Sequence, residues 1–353
     1  MNDQNERVLV AMSGGVDSAV AAYLTASAQS AAGVTMRVLS EKLGGTEGAT
    51  ADVIGAAAVC QMLGIPHFVA DLEADFRRHV VEPFIAAYEA GETPNPCIFC
   101  NKAIKFGSLL DYAAEKGYDT IATGHYIRLE RTESGRVLLR CAADASKDQA
   151  YMLWSLTQDA LAKCRFPLGE LTKGEAREIA AAQGFPMANR RDSQDICFIP
   201  DGDYAAFIAR FTGRTPEPGD FIDKSGRILG RHQGQLHYTI GQRKGLGIAL
   251  GKPAFVTAKS AMSNTVTLGE SEDLFTTRVV ARGINLIPFD RMDAPMRLTA
   301  KARYRQTAAP ARVEQLDADT LLLEFDTPQR AVSPGQSLVL YDGDYVVGGG
   351  FIQ

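Results

Sequence analysis

Eight consecutive residues near the start of the chain combine two glycines, two serines and one carboxylate: Ala11-Met12-Ser13-Gly14-Gly15-Val16-Asp17-Ser18. An apolar run at 8–10 precedes them, and a helical run at 19–24 follows. Glycine lets the backbone come close to an anion, and the free N–H groups at a helix N-terminus favour negative charge. The segment therefore predicts a site for the phosphates of a nucleotide, where a strand turns into a helix.

This loop differs from the common phosphate motif GxxxxGK[ST], because it contains no lysine that could reach a γ-phosphate. A second interpretation is a Gly-Gly turn before a helix whose serines act as caps. Asp17 also allows two interpretations: it caps the helix, or it stands beside phosphates and helps to hold Mg²⁺.

Three cysteines lie in segments whose composition suits thiol chemistry. Cys97 and Cys100 form a Cys-x-x-Cys pair after two prolines, and Cys197 is flanked by apolar residues at the end of the first two hundred residues. We expect a helix to begin near Ile104, which places Cys100 close to its N-terminus and to Lys102 and Lys105. Both features predict that Cys100 is stabilised as a thiolate.

The bulk composition is that of an ordinary soluble globular protein with two or three domains: 353 residues, 46% hydrophobic and 22% charged. The chain shows no long apolar run and no basic, apolar leader, so we expect a cytoplasmic protein with no membrane partner. In a reducing compartment, its six cysteines do not predict a structural disulfide framework. The net charge of −5 disfavours non-specific coating of nucleic acid but allows a local basic strip.

The first two hundred residues alternate strand and helix patterns. Strands are predicted at 8–10, 33–38, 67–70 and 120–123, with helices around 18–28, 51–63, 73–90 and 104–116. This alternation predicts an α/β fold with a doubly wound parallel sheet, whose ligands bind at the carboxyl ends of the strands.

The remainder of the chain has a different composition and pattern. Gly- and Pro-rich segments after 207 predict a small central connecting domain, and short alternating runs at 297–305, 320–325 and 337–347 predict a C-terminal β-barrel. The expected domains are therefore 1–206, 207–275 and 276–353. In the first of those runs, residues of one parity would form a basic stripe or a charged strand edge: Arg297, Lys301, Arg303 and Arg305.

Six segments occur in a fixed order along the chain: SGGVDS at 13–18, TPNPCIFCNKAIKF at 93–106, ATGHY at 122–126, SKDQAYML at 146–153, SQDICFI at 193–199 and YTIGQRKGLGI at 238–248. With them the chain resembles the bacterial tRNA-specific 2-thiouridylases of the ATP pyrophosphatase (PP-loop) superfamily. The resemblance covers nearly the whole chain. It implies a PP-loop catalytic domain followed by a central domain and a tRNA-binding barrel.

The resemblance also implies an activity: ATP-dependent 2-thiolation of the wobble uridine of tRNA. ATP, with Mg²⁺, would adenylate the C2 oxygen of the base, and sulfur from a cysteine persulfide would then replace it. Cys197 would carry the persulfide, and Cys100 would attack it, releasing sulfide or forming a transient disulfide. The implied partners are tRNAs of the Lys, Glu and Gln type and a sulfur carrier or cysteine desulfurase that delivers the persulfide.

The other functional positions that the resemblance implies fall into three groups. ATP would be held by Ala11, Met12, Ser13, Gly14, Gly15, Val16, Asp17, Ser18, Met36 and Gly124. The target base would contact Asn95, Pro96 and Cys97. The rest of the tRNA would contact His125, Lys147, Asp148, Gln149, Arg303, Tyr304 and Gln336.

Several alternatives stay open at the level of sequence. Many members of the family carry aspartate at the position of Cys97, so the role of this residue is undecided. Cys97, Cys100 and Cys197 could instead hold an iron–sulfur cluster, or serve only as structural thiols. Two other classes of protein remain: an ATP pyrophosphatase that makes a small metabolite, such as an amidating synthetase, and a non-catalytic RNA-binding protein.

Overall fold

The computed structural model describes residues 6–39, 47–188 and 196–353, without the side chains of 47–50. The strands of the first module are β1 (Arg7–Ala11), β2 (Ser30–Arg37), β3 (His67–Asp71), β4 (Thr120–Ala122), β5 (Ile127–Arg131), β6 (Val137–Cys141) and β7 (Cys164–Arg165). Its helices are α1 (Val16–Ala28), α2 (Glu47–Leu63), α3 (Glu73–Phe76), α4 (Glu82–Glu89), α5 (Pro96–Phe99), α6 (Leu109–Glu115), α7 (Gln158–Ala162) and α8 (Lys173–Ala182). A π-helical turn, Arg77–Val81, joins α3 to α4, and a short 3₁₀ helix spans Ala150–Leu153.

Five strands of this module form a parallel sheet in the order β3-β2-β1-β4-β7. Helices α1, α2 and α8 cover one face, and α4 and α6 cover the other. The central strand β1 is completely buried at Val8, Leu9 and Val10, as expected for a strand covered on both faces. The predicted doubly wound fold is confirmed, and the strand order reverses between β1 and β4, where such folds bind their ligands.

One long helical stretch runs from Pro96 to Glu115, because a π-helical segment, Cys100–Ser108, joins α5 to α6 with a kink at Phe106, where φ is −112° and ψ is 21°. The Asn95 side chain accepts a hydrogen bond from the Cys97 N–H at 3.1 Å and caps the helix, with Pro96 at its first position. The expectation of a helix that begins near Ile104 is therefore wrong. Cys97 lies in the first turn, and Cys100 lies one turn inside the helix.

The central module consists of α9 (Tyr204–Thr212) and a four-stranded sheet in the order β10-β11-β8-β9. Its strands are β8 (Gly219–Ile222), β9 (Ile228–His232), β10 (Phe255–Ser260) and β11 (Thr265–Gly269), with a short 3₁₀ helix at Gln235–His237. Phe221, Val256 and Val266 are completely buried in its core. In the described part of the chain, no helix combines the length and apolar character needed to span a membrane.

After a 3₁₀ turn at Ser271–Leu274, the last module closes into the predicted barrel. Its strands are β12 (Phe275–Leu286), β13 (Met296–Lys301), β14 (Ala309–Gln315), β15 (Thr320–Arg330), β16 (Ser337–Asp342) and β17 (Tyr345–Ile352). They pair in the order β12-β15-β14-β13-β16-β17, and β17 pairs again with β12. The hairpin β5–β6 of the first module extends this sheet, because β6 pairs with β17. The barrel is therefore continuous with the first module.

Two of the predicted barrel strands end earlier than expected. The run at 337–347 is two strands, β16 and β17, because Gly343 adopts a φ of +58° and turns the chain between them. The run at 297–305 ends at Lys301, because the Ala302 N–H donates to the Gln306 side chain at 3.1 Å instead of continuing the strand ladder.

Candidate functional site

The loop after β1 is shaped by its own serines and glycines. The Ser13 N–H donates to Ser18 Oγ at 3.1 Å, and Ser18 Oγ donates to the Gly15 carbonyl at 3.0 Å. Gly14 has a φ of +68°, and a Cβ there would lie 2.8 Å from the Asp52 Cα, so both conformation and space require glycine. Helix α1 starts at Val16 without a side-chain cap. This end of the helix therefore presents backbone donors that suit an anion.

The end of β4 packs directly against this loop. A Cβ on Gly124 would lie 2.8 Å from the Asp17 carbonyl carbon and 2.9 Å from the Ser18 nitrogen, so no larger residue fits. Met36, half-buried near the end of β2, belongs to the same edge of the sheet. The ends of β1, β2 and β4 thus bring together the residues predicted to hold ATP, and the close backbone approach fits a nucleotide at the point where the strand order reverses.

A lysine that the sequence analysis missed lies against the loop. Lys173 Nζ is 2.7 Å and 2.8 Å from the two carboxylate oxygens of Asp17, and the Tyr126 hydroxyl donates to one of these oxygens at 2.8 Å. The lysine side chain is only 11% exposed. Although the loop itself contains no lysine, the fold delivers one from the start of α8.

The sequence does contain a signal for Lys173. Thr172 and Glu175 form a capping box, a pattern that marks the start of a helix and places Lys173 at its first position. A cation is unfavourable at the positive end of a helix. A lysine at this position therefore indicates a role outside the helix.

Lys173 also connects the nucleotide loop with the segment 146–149. Its backbone N–H donates to the Asp144 carboxylate at 3.1 Å, and the same carboxylate accepts from the backbone and hydroxyl of Ser146 at 2.9 Å and 2.6 Å. These bonds lower the pKa of Asp144, chiefly through the Ser146 hydroxyl. A continuous chain of contacts therefore runs from Asp17 to the predicted RNA-contact segment.

The described residues do not provide a multidentate metal site. Across 6–39, 47–188 and 196–353, no three His, Cys, Asp or Glu side chains are placed to hold one metal ion. Asp17 is the carboxylate beside the phosphate loop, and it engages Lys173 and Tyr126 through both of its oxygens.

The structure brings the three predicted cysteines together. Cys97 and Cys197 are exposed and Cys100 is half-buried, and the charge of either Cys97 or Cys100 disfavours ionisation of Cys197. Burial raises the pKa of Cys100 to about 11, although Lys105 lowers it in part. The expectation that Cys100 is a stabilised thiolate is therefore wrong here, because burial outweighs the nearby charge.

Cys197 is held in place by the aromatic residue that follows it. Phe198 packs edge-on against Phe76 and Phe84, with ring centroids 5.6 Å and 5.4 Å apart. Desolvation by the surrounding protein raises the pKa of Cys197, although the residue is exposed. Ser193, Gln194 and Asp195, the first residues of the SQDICFI segment, lie outside the described residues.

The residues predicted to contact the target base lie at the start of the cysteine helix. Asn95 caps it, and its Nδ2 lies 3.4 Å from Met152 Sδ. Pro96 is buried and Cys97 is exposed. The side chain of Asn101, one turn further on, donates to the Met152 carbonyl at 3.0 Å. This cysteine helix is therefore fixed against the segment that follows 146–149.

The predicted RNA-contact residues of the first module are partly engaged inside the protein. Gln149 Oε1 accepts from the Tyr126 N–H at 2.9 Å, and Asp148 accepts from the Ala142 N–H at 2.9 Å, while Lys147 is half-buried. Burial raises the pKa of Asp148. His125 is buried with its Nδ1 2.7 Å from the Thr123 hydroxyl, and burial lowers its pKa well below the usual range. His125 is therefore neutral near pH 7.

The predicted barrel residues also bond to protein groups. The Tyr304 hydroxyl donates to the Asp148 carbonyl at 3.1 Å, and Gln336 Nε2 donates to the Thr93 carbonyl. The Arg303 guanidinium donates to Ser333 Oγ at 3.0 Å and to the Ala331 carbonyl. Tyr304 and Gln336 therefore tie the barrel to the two loops that flank the predicted base site.

The predicted basic stripe of four residues is wrong. Arg297 forms an exposed ion pair with Asp326. Arg303 and Arg305 lie beyond the end of β13, in the turn, so they do not share the face of Lys301. Equal parity along a sequence places side chains on one face only while the strand continues.

Comparisons with known proteins cover all three modules. Residues 6–201 match the family described as the tRNA methyl transferase HUP domain, residues 205–270 the tRNA methyl transferase PRC-barrel domain, and residues 277–352 the aminomethyltransferase beta-barrel domain. The chain is similar to the tRNA-specific 2-thiouridylase MnmA of Lachnoclostridium phytofermentans, at 47% identity over 98% of this chain and 99% of that protein.

Two further relatives show the same extent of similarity. The tRNA-specific 2-thiouridylases MnmA of Clostridioides difficile and Treponema denticola are each 44% identical to this chain. The alignments cover 99% and 98% of this chain and 98% of either relative. These matches confirm the resemblance inferred from the six ordered segments, and the chain belongs to the tRNA-specific 2-thiouridylase family.

Proposed function

We propose that this chain uses ATP to replace the C2 oxygen of the wobble uridine of tRNA with sulfur. The observation that carries the proposal is that the first module contains both a loop suited to phosphates and a pair of neighbouring cysteines. The predicted phosphate loop with Lys173 lies at the point where the strand order reverses. Cys197 lies close enough to Cys100 for the charge of Cys100 to disfavour its ionisation. A nucleotide loop alone would suit many ATP-using enzymes, whereas a nearby pair of cysteines can also carry and hand over sulfur.

The loop residues 11–18, with Met36 and Gly124, would bind ATP. Backbone donors at the start of α1 and the Lys173 ammonium group would hold the phosphates, and Mg²⁺ entering with the nucleotide would meet Asp17. The C2 oxygen of uridine attacks the α-phosphorus, and pyrophosphate leaves. This step converts a poor leaving oxygen into an adenylate, from which AMP can depart.

Cys197 would carry the incoming sulfur as a persulfide. In one route, the terminal sulfur attacks C2, AMP leaves with the former C2 oxygen, and Cys100 then attacks Cys197 Sγ to release the 2-thiouridine. In the other route, Cys100 attacks first and releases hydrosulfide, which displaces AMP. Either route leaves a Cys100–Cys197 disulfide, which an external thiol must reduce before a sulfur carrier or cysteine desulfurase reloads Cys197.

The RNA would be held by all three segments, 1–206, 207–275 and 276–353. Asn95, Pro96 and Cys97 would contact the target base, since they begin the helix that also carries Cys100. His125, Lys147, Asp148 and Gln149 would line the first module's side, with Arg303, Tyr304 and Gln336 on the barrel. We propose tRNAs of the Lys, Glu and Gln type as substrates, and the cytoplasm as the compartment.

The test uses purified protein, ATP, a persulfide donor and unmodified tRNA. We expect Cys100→Ser and Cys197→Ser each to lower 2-thiouridine formation by about 1,000-fold or more, because each sulfur has a separate covalent task. ATP binding should stay within about twofold, since neither cysteine contacts the phosphate loop. Mass spectrometry of digested tRNA and calorimetric titration with a non-hydrolysable ATP analogue measure the two effects.

Cys164→Ser is the control, because Cys164 lies outside the three-cysteine cluster and its thiol donates to the Ala160 carbonyl at 2.8 Å, a hydrogen bond that serine can keep. It should retain thiolation. Full activity of either Cys100→Ser or Cys197→Ser would reject the sulfur relay. ATP consumption by the wild-type chain without any change in the uridine would reject the base as the substrate.

A further inference from the structure

A lysine on the helical stretch that carries Cys97 and Cys100 has no acidic partner among the described residues. Lys105 is half-buried on the π-helical segment Cys100–Ser108. Within the described chain, no carboxylate forms an ion pair with it. A partly buried ammonium group usually has a carboxylate nearby, because desolvation of an unpaired charge is costly. The missing counter-charge suggests that this lysine serves an anion that forms during the reaction.

The groups that the Lys105 charge influences come from three separate segments. Its positive charge lowers the pKa of Cys97, Cys100 and Cys197, and it also disfavours protonation of His125. The first two cysteines share its helix, whereas Cys197 and His125 follow other elements. Among the residues that the structure describes, Lys105 is the cation whose charge acts on all three thiols.

The π-helical geometry explains how Lys105 reaches Cys100. In an α-helix of about 3.6 residues per turn, a residue five positions on lies about 140° around the axis. In a π-helix, hydrogen bonds run from residue i to i+5, so the same spacing returns toward the same side. Lys102, only two residues from Cys100, is exposed and does not influence these thiols. The π-helical geometry therefore places Lys105, and not Lys102, toward the side of Cys100.

We propose that Lys105 is a positioning residue of sulfur transfer, whose ammonium group stabilises the anionic sulfur on Cys100 and on the persulfide of Cys197. The inference rests on the proposed function and assigns it a residue beyond the two cysteines. When the Cys100 thiolate attacks Cys197 Sγ, its electron pair forms the new S–S bond. The old S–S bond breaks, and its pair leaves with the terminal sulfur as hydrosulfide. One negative charge is present throughout, and it stays among the groups that Lys105 faces.

A cation near Cys100 offsets part of the effect of burial on the pKa of this thiol. Burial shields Cys100 from water, which would otherwise hydrolyse the activated base, but it also raises the pKa of the thiol to about 11. An unpaired lysine offsets part of that penalty without filling the space where the base and the sulfur must meet. A carboxylate partner would cancel the positive charge of Lys105. The proposed role therefore requires that Lys105 has no ion pair.

The test measures the thiols directly, in the full-length protein without ATP or tRNA. The rate of alkylation of Cys100 and Cys197 by iodoacetamide is followed from pH 6.5 to 10.5 by peptide mass spectrometry. We expect Lys105→Met to slow alkylation of both cysteines at pH 8 by about three- to tenfold and to move the pH profile upward. Lys105→Arg should restore most of the rate, because it keeps the charge.

Lys102→Met is the matched control, since it removes a charge from the same helix at an exposed position. It should leave both profiles unchanged. Lys105→Gln provides a second neutral variant of different polarity, and a far-UV spectrum confirms that each variant is folded. In the thiolation assay with preloaded persulfide, Lys105→Met should lower the single-turnover rate by a similar factor, with the loss shrinking as pH rises.

Two results would overturn the inference. If the alkylation profiles of Lys105→Met and Lys105→Gln match the wild type, Lys105 does not stabilise anionic sulfur. If Lys105→Arg is as slow as Lys105→Met, the lysine acts through packing and not through charge. Since alkylation needs neither nucleotide nor RNA, its outcome is independent of whether the wild-type chain makes 2-thiouridine.

Discussion

The predicted nucleotide loop and the predicted RNA-contact residues of the barrel are built in opposite ways. The loop consists of eight consecutive residues, 11–18, whose shape comes from their own serines and glycines. On the barrel, Tyr304 and Gln336 lie on different turns, and each donates a hydrogen bond to the backbone of the first module. The first feature can form once β1 and α1 pack, whereas the second exists only after the barrel docks.

This difference has a functional consequence. A substitution at an exposed position of the predicted nucleotide loop, such as Ser13, should act mainly on the ligand, because the buried loop residues and Asp17 make the contacts with the rest of the module. A substitution among the barrel residues should act on RNA and on the loops at Thr93 and Asp148 together. Each of the two regions has one exception. Lys173 reaches the nucleotide loop from a distant part of the sequence. The hydrogen bonds of Arg303 stay within the barrel.

Lys173→Met should give the largest of the effects considered below. It removes the ammonium group beside Asp17 and leaves that carboxylate unpaired next to the incoming phosphates. We expect thiolation to fall by about 100-fold, with a clear loss of ATP affinity, as when a preorganised donor to developing charge is removed. Titration with an ATP analogue and 2-thiouridine analysis measure both quantities.

Lys163→Met is the control for Lys173→Met, since Lys163 is exposed at the end of α7. It should bind ATP like the wild type. If Lys173→Met also retained wild-type ATP affinity and rate, the nucleotide loop would be self-sufficient. Lys173 would then no longer be an exception to the local construction of the loop.

Arg303→Ala should produce an intermediate effect, and it tests whether a barrel residue contributes charge to tRNA binding. One terminal nitrogen of its guanidinium is bonded within the barrel, which leaves the other N–H groups for a phosphate. We expect tRNA affinity to fall by about three- to tenfold and the slope of log K against log salt to decrease by about one. Filter binding at several salt concentrations gives both values.

Arg297→Ala is a suitable companion, because Arg297 is already neutralised by Asp326. Its salt slope should stay at the wild-type value. A fall in affinity for Arg303→Ala at an unchanged slope would mean that Arg303 only holds Ala331 and Ser333 in place. The barrel would then contribute geometry and not charge at this position.

Sequence reasoning predicts the local features well. Residues 8–18 contain the strand, the turn and the helix start in one stretch, so glycine conformation and the free N–H groups of a helix start suffice to anticipate their structure. The parallel sheet and the barrel also follow from periodicity, because alternation of strand and helix, or of strand and turn, is itself a local pattern.

The features that sequence reasoning missed depend on distant partners or on a single capping bond. Lys173 lies 156 positions from Asp17, and only folding brings them together. The cysteine helix starts at Pro96 because Asn95 happens to cap it, a choice that the prolines on either side of Asn95 obscured. The end of β13 depends on a bond from Ala302 to Gln306, and neither residue type signals a turn.

Tyr304→Phe should give the smallest effect and separates docking from RNA contact. The change removes one hydroxyl, whose hydrogen bond to the Asp148 carbonyl joins the barrel to the segment 146–149. The ring, packed 5.7 Å from Tyr151, stays in place. We expect the free energy of unfolding in urea to fall by about 0.5–1.5 kcal/mol, the usual contribution of one hydrogen bond.

The same variant should bind tRNA with an unchanged salt slope, because no charge is lost. Tyr23→Phe, in α1, is the control: among the described contacts its hydroxyl makes no hydrogen bond, so its stability should equal that of the wild type. Faster amide hydrogen exchange at 147–149 in Tyr304→Phe alone would locate the loss at the docked loop. If exchange there were unchanged while tRNA affinity fell, the hydroxyl would act on the RNA itself, and the barrel would resemble the nucleotide loop in contacting its ligand directly.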